Sequence, residues 1–200
     1  ISKMFKKKPY IFIILIYFFF SNNAFSIDPE IFVQSTVNRA SKLLSDSISK
    51  DKKVEELKKI AKETVDIKGI GFYTLGPIRK NLNENDIKQY SDLFEQYFLK
   101  SFSSRLAEYT NPEIDVFAKE VINKNYTIVN SILKATKDRP EIKIDWRIYT
   151  KNPESPLIRD LIIEGLSLAR TQKEEFSSIL NSNGGNINAL FKTLEEFSKK

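Results

Sequence analysis

The feature that most constrains this chain is a change of hydrophobic period at Asn111-Pro112. Before it, Ile87, Tyr90, Phe94, Tyr97, Phe98, Phe102, Leu106 and Tyr109 recur every three or four residues, which predicts one long helix with a broad aromatic face. After it the period drops to two. The stretches EIDVFAKEVI, YTIVNSILKAT, EIKIDWRIYT and LIRDLII each read as a strand closed by a turn or a charge cluster. The third alternates cleanly, with Ile142, Ile144, Trp146 and Ile148 on one face and Lys143, Asp145, Arg147 and Tyr149 on the other. Connections as short as NKN and KDRP favour antiparallel hairpins over crossovers.

Helical patterns flank this block. Val33, Val37, Ala40, Leu43, Leu44 and Ile48, with Ile31, mark an amphipathic helix within residues 29–50, and Val54, Leu57, Ile60, Ala61 and Val65 mark a second. Gly69, Gly71, Gly76 and Pro77 predict a break in regularity before Asn83 caps the aromatic helix. Beyond Arg170 two more helices are joined by NSNGGN. Helices, then strands, then helices predict an α+β domain: a four-stranded antiparallel sheet with helices over one face. One stretch, DLIIEGLSLARTQKEEF, is odd. Its strand should stop at Glu164-Gly165, yet Leu166, Leu168 and Ala169 keep the chain apolar up to the next helix. Such residues, at one end of the sheet, are placed to line the mouth of a space between the layers.

The N-terminus predicts an address. Lys3, Lys6, Lys7 and Lys8 precede the apolar run Tyr10 to Phe20, and SNNAFS supplies a small-residue cleavage site ending at Ser26. Eleven apolar residues fall short of the roughly 20 that span a bilayer. The expectation is a signal peptide over residues 1–26, with an uncleaved anchor as the alternative, and one domain over residues 27–200. Residues 27–200 carry 28 basic and 26 acidic side chains, a net charge of only +2, against +6 for the whole chain. So balanced a surface has little pull on nucleic acid.

The inventory also narrows the chemistry. With neither His nor Cys, the chain has no imidazole base, no thiol nucleophile and no ordinary zinc ligand set. It has no phosphate-binding P-loop motif either. No acid pair stands out from the charged helix faces, so no catalytic or metal-ligating residue is expected.

Four segments resemble one known family: the TLGPIR turn, the helix QYSDLFEQYFLKSFSSRLAEY, the strand KIDWRIY, and RDLIIEGLSLARTQKEEFSSILNSNGGNINALFKTL. The last is the most specific. Together they resemble MlaC, the toluene-tolerance (Ttg) periplasmic component of a Gram-negative lipid-trafficking ABC system, over nearly all of residues 30–198. Two positions depart from that pattern: Ile78 and the Pro156-Leu157 pair stand where members usually carry Trp.

The resemblance implies a nuclear-transport-factor-like domain whose apolar cavity takes both tails of a glycerophospholipid, with no other cofactor. It implies a monomeric carrier that maintains outer-membrane lipid asymmetry. Its partners would be an inner-membrane ABC transporter complex, through an MlaD-like subunit, and an outer-membrane lipoprotein complex. On such a fold the lining would come from Phe72 and Leu75 before the Gly76-Pro77 turn, and from Phe94, Phe98 and Phe102 on the aromatic helix. Ile128 and Ile132 on the second strand, Ile144, Trp146 and Ile148 on the third, and Leu161 and Ile163 on the fourth would complete the sheet side. Leu166, Leu168 and Phe176 would close the far end, with Arg79 and Arg170 at the head group. The residues alone leave another reading open, because an aromatic stripe at helical spacing serves equally well as a filled core of an envelope interaction module.

Overall fold

The structure is a computed structural model that describes residues 25–199. The expected signal peptide therefore falls almost wholly outside the described residues. Four helices come first: α1 (Pro29–Ser45), α2 (Lys50–Thr64), α3 (Ile67–Leu75) and, after a short 3-10 helix over Gly76–Asn81, α4 (Glu84–Leu106). The sheet follows as β1 (Ile114–Asn123), β2 (Tyr126–Leu133), β3 (Ile142–Tyr149), β4 (Leu157–Ile163) and β5 (Leu166–Ser167), and the chain ends in α5 (Leu168–Ser182) and α6 (Ile187–Lys199). None of the described helices is long and apolar enough to cross a membrane.

Helices α1 to α5 start where a short polar side chain can take an orphan backbone N–H. Asp28, Ser49, Asp66, Asn83 and Ser167 cap α1 to α5 in turn. Lys119 of β1 pairs with the α1 cap and holds the Asp28 carboxyl below its ordinary pKa. Asp66 does two jobs. It accepts from Gly69 N at 2.8 Å and receives Arg159 of β4 at 2.6 Å, which ties the start of α3 to the sheet.

The predicted break at Gly69 and Gly71 is instead the middle of α3. These glycines serve close approach rather than irregularity. A Cβ on Gly71 would sit 2.8 Å from Phe94 Cδ1, so its absence lets α3 lie against α4. Gly76, at φ +66°, is where the helix does end.

The sheet is a pure antiparallel meander in the order β1-β2-β3-β4-β5, one short strand more than expected. The extra strand resolves the oddity of the EGLSLA stretch. Glu164 and Gly165 both adopt positive φ, +49° and +82°, as a two-residue hairpin turn requires. The chain reverses there, and Leu166 and Ser167 pair back onto Ile163 and Ile162.

Thr127, Val129, Ser131 and Leu133 of β2, with Ile144, Trp146 and Ile148 of β3, form the buried face toward the helices. Ile128 and Ile132 therefore lie on the opposite face, among Glu120 and Arg147, and Asp115 and Lys143. The expectation for these two was out of register by one residue. YTIVNSIL has apolar groups at both parities, and the two hydroxyls are the ones turned inward. Ser131 Oγ accepts from Trp146 Nε1 at 2.8 Å and donates to Ile144 O at 2.9 Å, which satisfies the buried indole.

Candidate functional site

A cavity of about 200 Å³ lies between the buried face of the sheet and α4, with its mouth between α4 and α5. Phe94, Phe98 and Phe102 form one wall, one helical turn apart. Their rings pack in sequence, Phe94 to Phe98 at 6.1 Å and Phe98 to Phe102 at 5.5 Å between centroids. Trp146, Ile158 and Leu161 form the sheet side, and Val65 and Ile70 close the end under α3. Leu168 and Ala169 stand at the mouth. Of the expected lining, the structure brings together Phe94, Phe98, Phe102, Trp146, Leu161 and Leu168.

The others go elsewhere. Leu75, Ile144, Ile148 and Phe176 are core residues away from the cavity. Phe176 packs edge-on against Tyr90 and Phe94 and holds the aromatic wall from behind. Phe72 lies in a separate groove between α3 and α4, with Arg79 over its ring at 5.2 Å. Ile163 is half-buried at the end of β4, and Leu166, carried outward by the hairpin, is 59% exposed. Arg79 and Arg170 do not reach the mouth either. The 3-10 helix carries Arg79 to Phe72, and Arg170 points away from the cavity to a polar surface groove beside Tyr73 and Lys173.

The polar residues that do border the cavity were not anticipated. A bulge in β4 inserts Arg159, which pairs with Asp66, bonds Tyr126 Oη at 2.8 Å and stacks on Tyr149 at 4.3 Å. Asp160, almost wholly buried, accepts from Ser167 Oγ at 2.5 Å and from Ala169 N at 3.0 Å. Arg147 reaches the same carboxylate at 3.7 Å. These bonds lock the β4–β5 hairpin to the first turn of α5. At the mouth, Tyr97 Oη donates to Gln172 Oε1 at 2.7 Å and so bridges α4 and α5. Burial pushes the Tyr97 phenol pKa up, and nearby Glu175 adds to that shift. Arg105, Ser101 and Thr171 complete the rim.

The arrangement can shelter apolar chains and meet a polar end at the rim. Apolar groups make up much of the lining, Arg159 and Asp160 are tied up within the fold, and Tyr97, Ser101, Arg105, Gln172 and Glu175 add polar groups from α4 and α5. No group of three or more His, Cys, Asp or Glu residues that could hold a metal occurs among the described residues.

Comparison with known proteins adds to this geometry. The family model described as MlaC protein matches residues 34–196. Comparison with individual curated proteins gives no match. Among solved structures, a phospholipid-binding protein from Ralstonia solanacearum, determined in complex with a phospholipid, superposes with a TM-score of 0.72 at 18% identity. The alignment covers 86% of this chain and 98% of that one. At that identity the likeness is one of fold.

Proposed function

This chain belongs to the MlaC family, and from that premise we propose that it is a periplasmic phospholipid carrier. In this reading it shuttles glycerophospholipid between an inner-membrane ABC transporter complex and an outer-membrane lipoprotein complex. The observation that carries the reading is the apolar space behind Phe94, Phe98 and Phe102, bordered by exposed residues of α4 and α5. Moving an acyl chain through water forfeits about 0.8 kcal/mol per CH₂, so lipid does not cross an aqueous gap unaided. A protein interior that imitates the bilayer removes that barrier without chemistry. Loading and release then stay close to balance, and direction comes from the partners.

One dimension bears on how loading occurs. A cavity of about 200 Å³ is smaller than the roughly 300–1,000 Å³ of ordinary small-molecule sites. Two acyl tails need the space to widen, and the Tyr97–Gln172 bond bridges α4 and α5 beside it. The same small volume favours a rival reading, a filled domain that binds proteins and no lipid.

Leu168 separates the two readings. It borders the mouth while remaining 39% exposed, so a charge there reaches water when the cavity is empty but is desolvated against a bound tail. Leu168→Glu is expected to remove the lipid that co-purifies with the parent, read by native mass spectrometry, with an unchanged circular dichroism spectrum. Trp146 emission should shift when lipid leaves, because the indole borders the same space. Parent protein that carries no lipid under lipid-preserving conditions would establish the filled domain.

A further inference from the structure

Four charged side chains border the cavity: Arg105, Arg159, Asp160 and Glu175. Two are consumed within the fold, Arg159 by Asp66 and Tyr126, and Asp160 by Ser167, Ala169 N and Arg147. The first turn of α5 is likewise occupied, since Ala169 N–H goes to Asp160 and Arg170 N–H to Ser167 Oγ, so this helix end is closed to an incoming phosphate. Arg105 on α4 and Glu175 on α5 remain. Both are exposed, neither has an ion-pair partner among the described residues, and they face the mouth from its two sides. Glu175 is steadied by Gln172 Nε2 at 2.8 Å, and the charges of both act on the Tyr97 hydroxyl in opposite senses, which places the two around one phenol.

One free charge of each sign at the opening of an apolar space is the complement of a dipole. We propose that Arg105 and Glu175 read the lipid head group, Arg105 taking the phosphate diester and Glu175 a terminal ammonium, so that the site selects zwitterionic ethanolamine phospholipids over anionic glycerol phospholipids. The inference rests on the carrier reading above and adds the class of lipid. A guanidinium is the preferred phosphate partner, with two parallel N–H donors. An ammonium gives the carboxylate a charge-assisted bond, whereas a glycerol head group offers only neutral hydroxyls and leaves Glu175 beside a net negative lipid.

The test uses the full chain, delipidated and then incubated with vesicles of equal parts phosphatidylethanolamine and phosphatidylglycerol, the bound lipid being extracted and quantified by mass spectrometry. The parent should be enriched severalfold in phosphatidylethanolamine, and the enrichment should shrink as salt is raised. Glu175→Gln should bring the ratio toward one, Glu175→Lys should invert it, and Arg105→Glu should lower uptake of both lipids. Both side chains are exposed, so circular dichroism should report an intact fold in each variant. A parent that takes up both lipids in the vesicle ratio, or a ratio indifferent to Glu175→Lys, overturns the head-group assignment and leaves the carrier standing. Uptake of neither lipid by the parent overturns the carrier and this assignment together.

Discussion

A carboxylate with almost no access to water has to be met by donors, and Asp160 meets three kinds: a hydroxyl, a backbone N–H and a guanidinium. Asp160→Ala would leave the Ala169 N–H and the Ser167 hydroxyl buried without their acceptor. The expected cost is about 2 kcal/mol, or about 4–8 °C in Tm for a chain of this size. Asp160→Asn keeps an acceptor for Ala169 N and should cost less, a ranking that thermal melts of the two variants would check. At this scale the sequence was only partly readable. Asp160 and Ser167 stand seven apart within the most distinctive stretch of the chain, but a spacing does not say that a hairpin will fold one onto the other. The arginines make the same point. Arg79 and Arg170 flank conspicuous turns and were expected at the mouth. Arg105 and Arg159 sit inside ordinary helix and strand patterns, and only the pitch of α4 and the bulge in β4 bring them to the cavity.

Among the elements, α3 sets the width of the site. It lies against α4 at the place where Gly71 meets the Phe94 ring, and the same ring is part of the cavity wall. Gly71→Ala puts a methyl about where that ring is, so either the ring turns into the cavity or α3 lifts away. Destabilisation of about 1–3 kcal/mol is expected, with a reduced capacity for lipid, measured by denaturant unfolding and by lipid extraction. The glycines looked like loop signals because permissiveness and close packing leave the same mark on a sequence, and only the neighbour decides between them. The long aromatic helix, the alternation of β3 and the α+β order were legible because each rests on a period repeated many times. β2 was not, since Ile128 and Ile132 at one parity compete with Val129 and Leu133 at the other, and the parity turned inward carries Ser131, whose hydroxyl is bonded on both sides. β5 is too short to have a period at all.

Across the whole molecule, the two sides of the cavity come from distant parts of the chain. Tyr97 and Gln172, joined at the mouth, are 75 residues apart, and Lys100 reaches Ser198 O over 98 residues. The sheet, by contrast, pairs every strand with its sequence neighbour. That meander has a kinetic consequence. Each hairpin closes a short loop and can form within about 1–10 µs, whereas docking of α5 and α6 onto the earlier helices must close much longer ones. Pulsed hydrogen exchange during refolding is expected to protect the amides of β2 and β3 before those of α5. Simultaneous protection would mean that the helical seam belongs to the folding nucleus. With the expected order, the enclosed space does not exist in any partly folded chain, since its mouth is made by the last pieces to arrive. The seam completed last on folding is then the cheapest to reopen from the native state, where α5 could swing on its hairpin while the meander stays zipped.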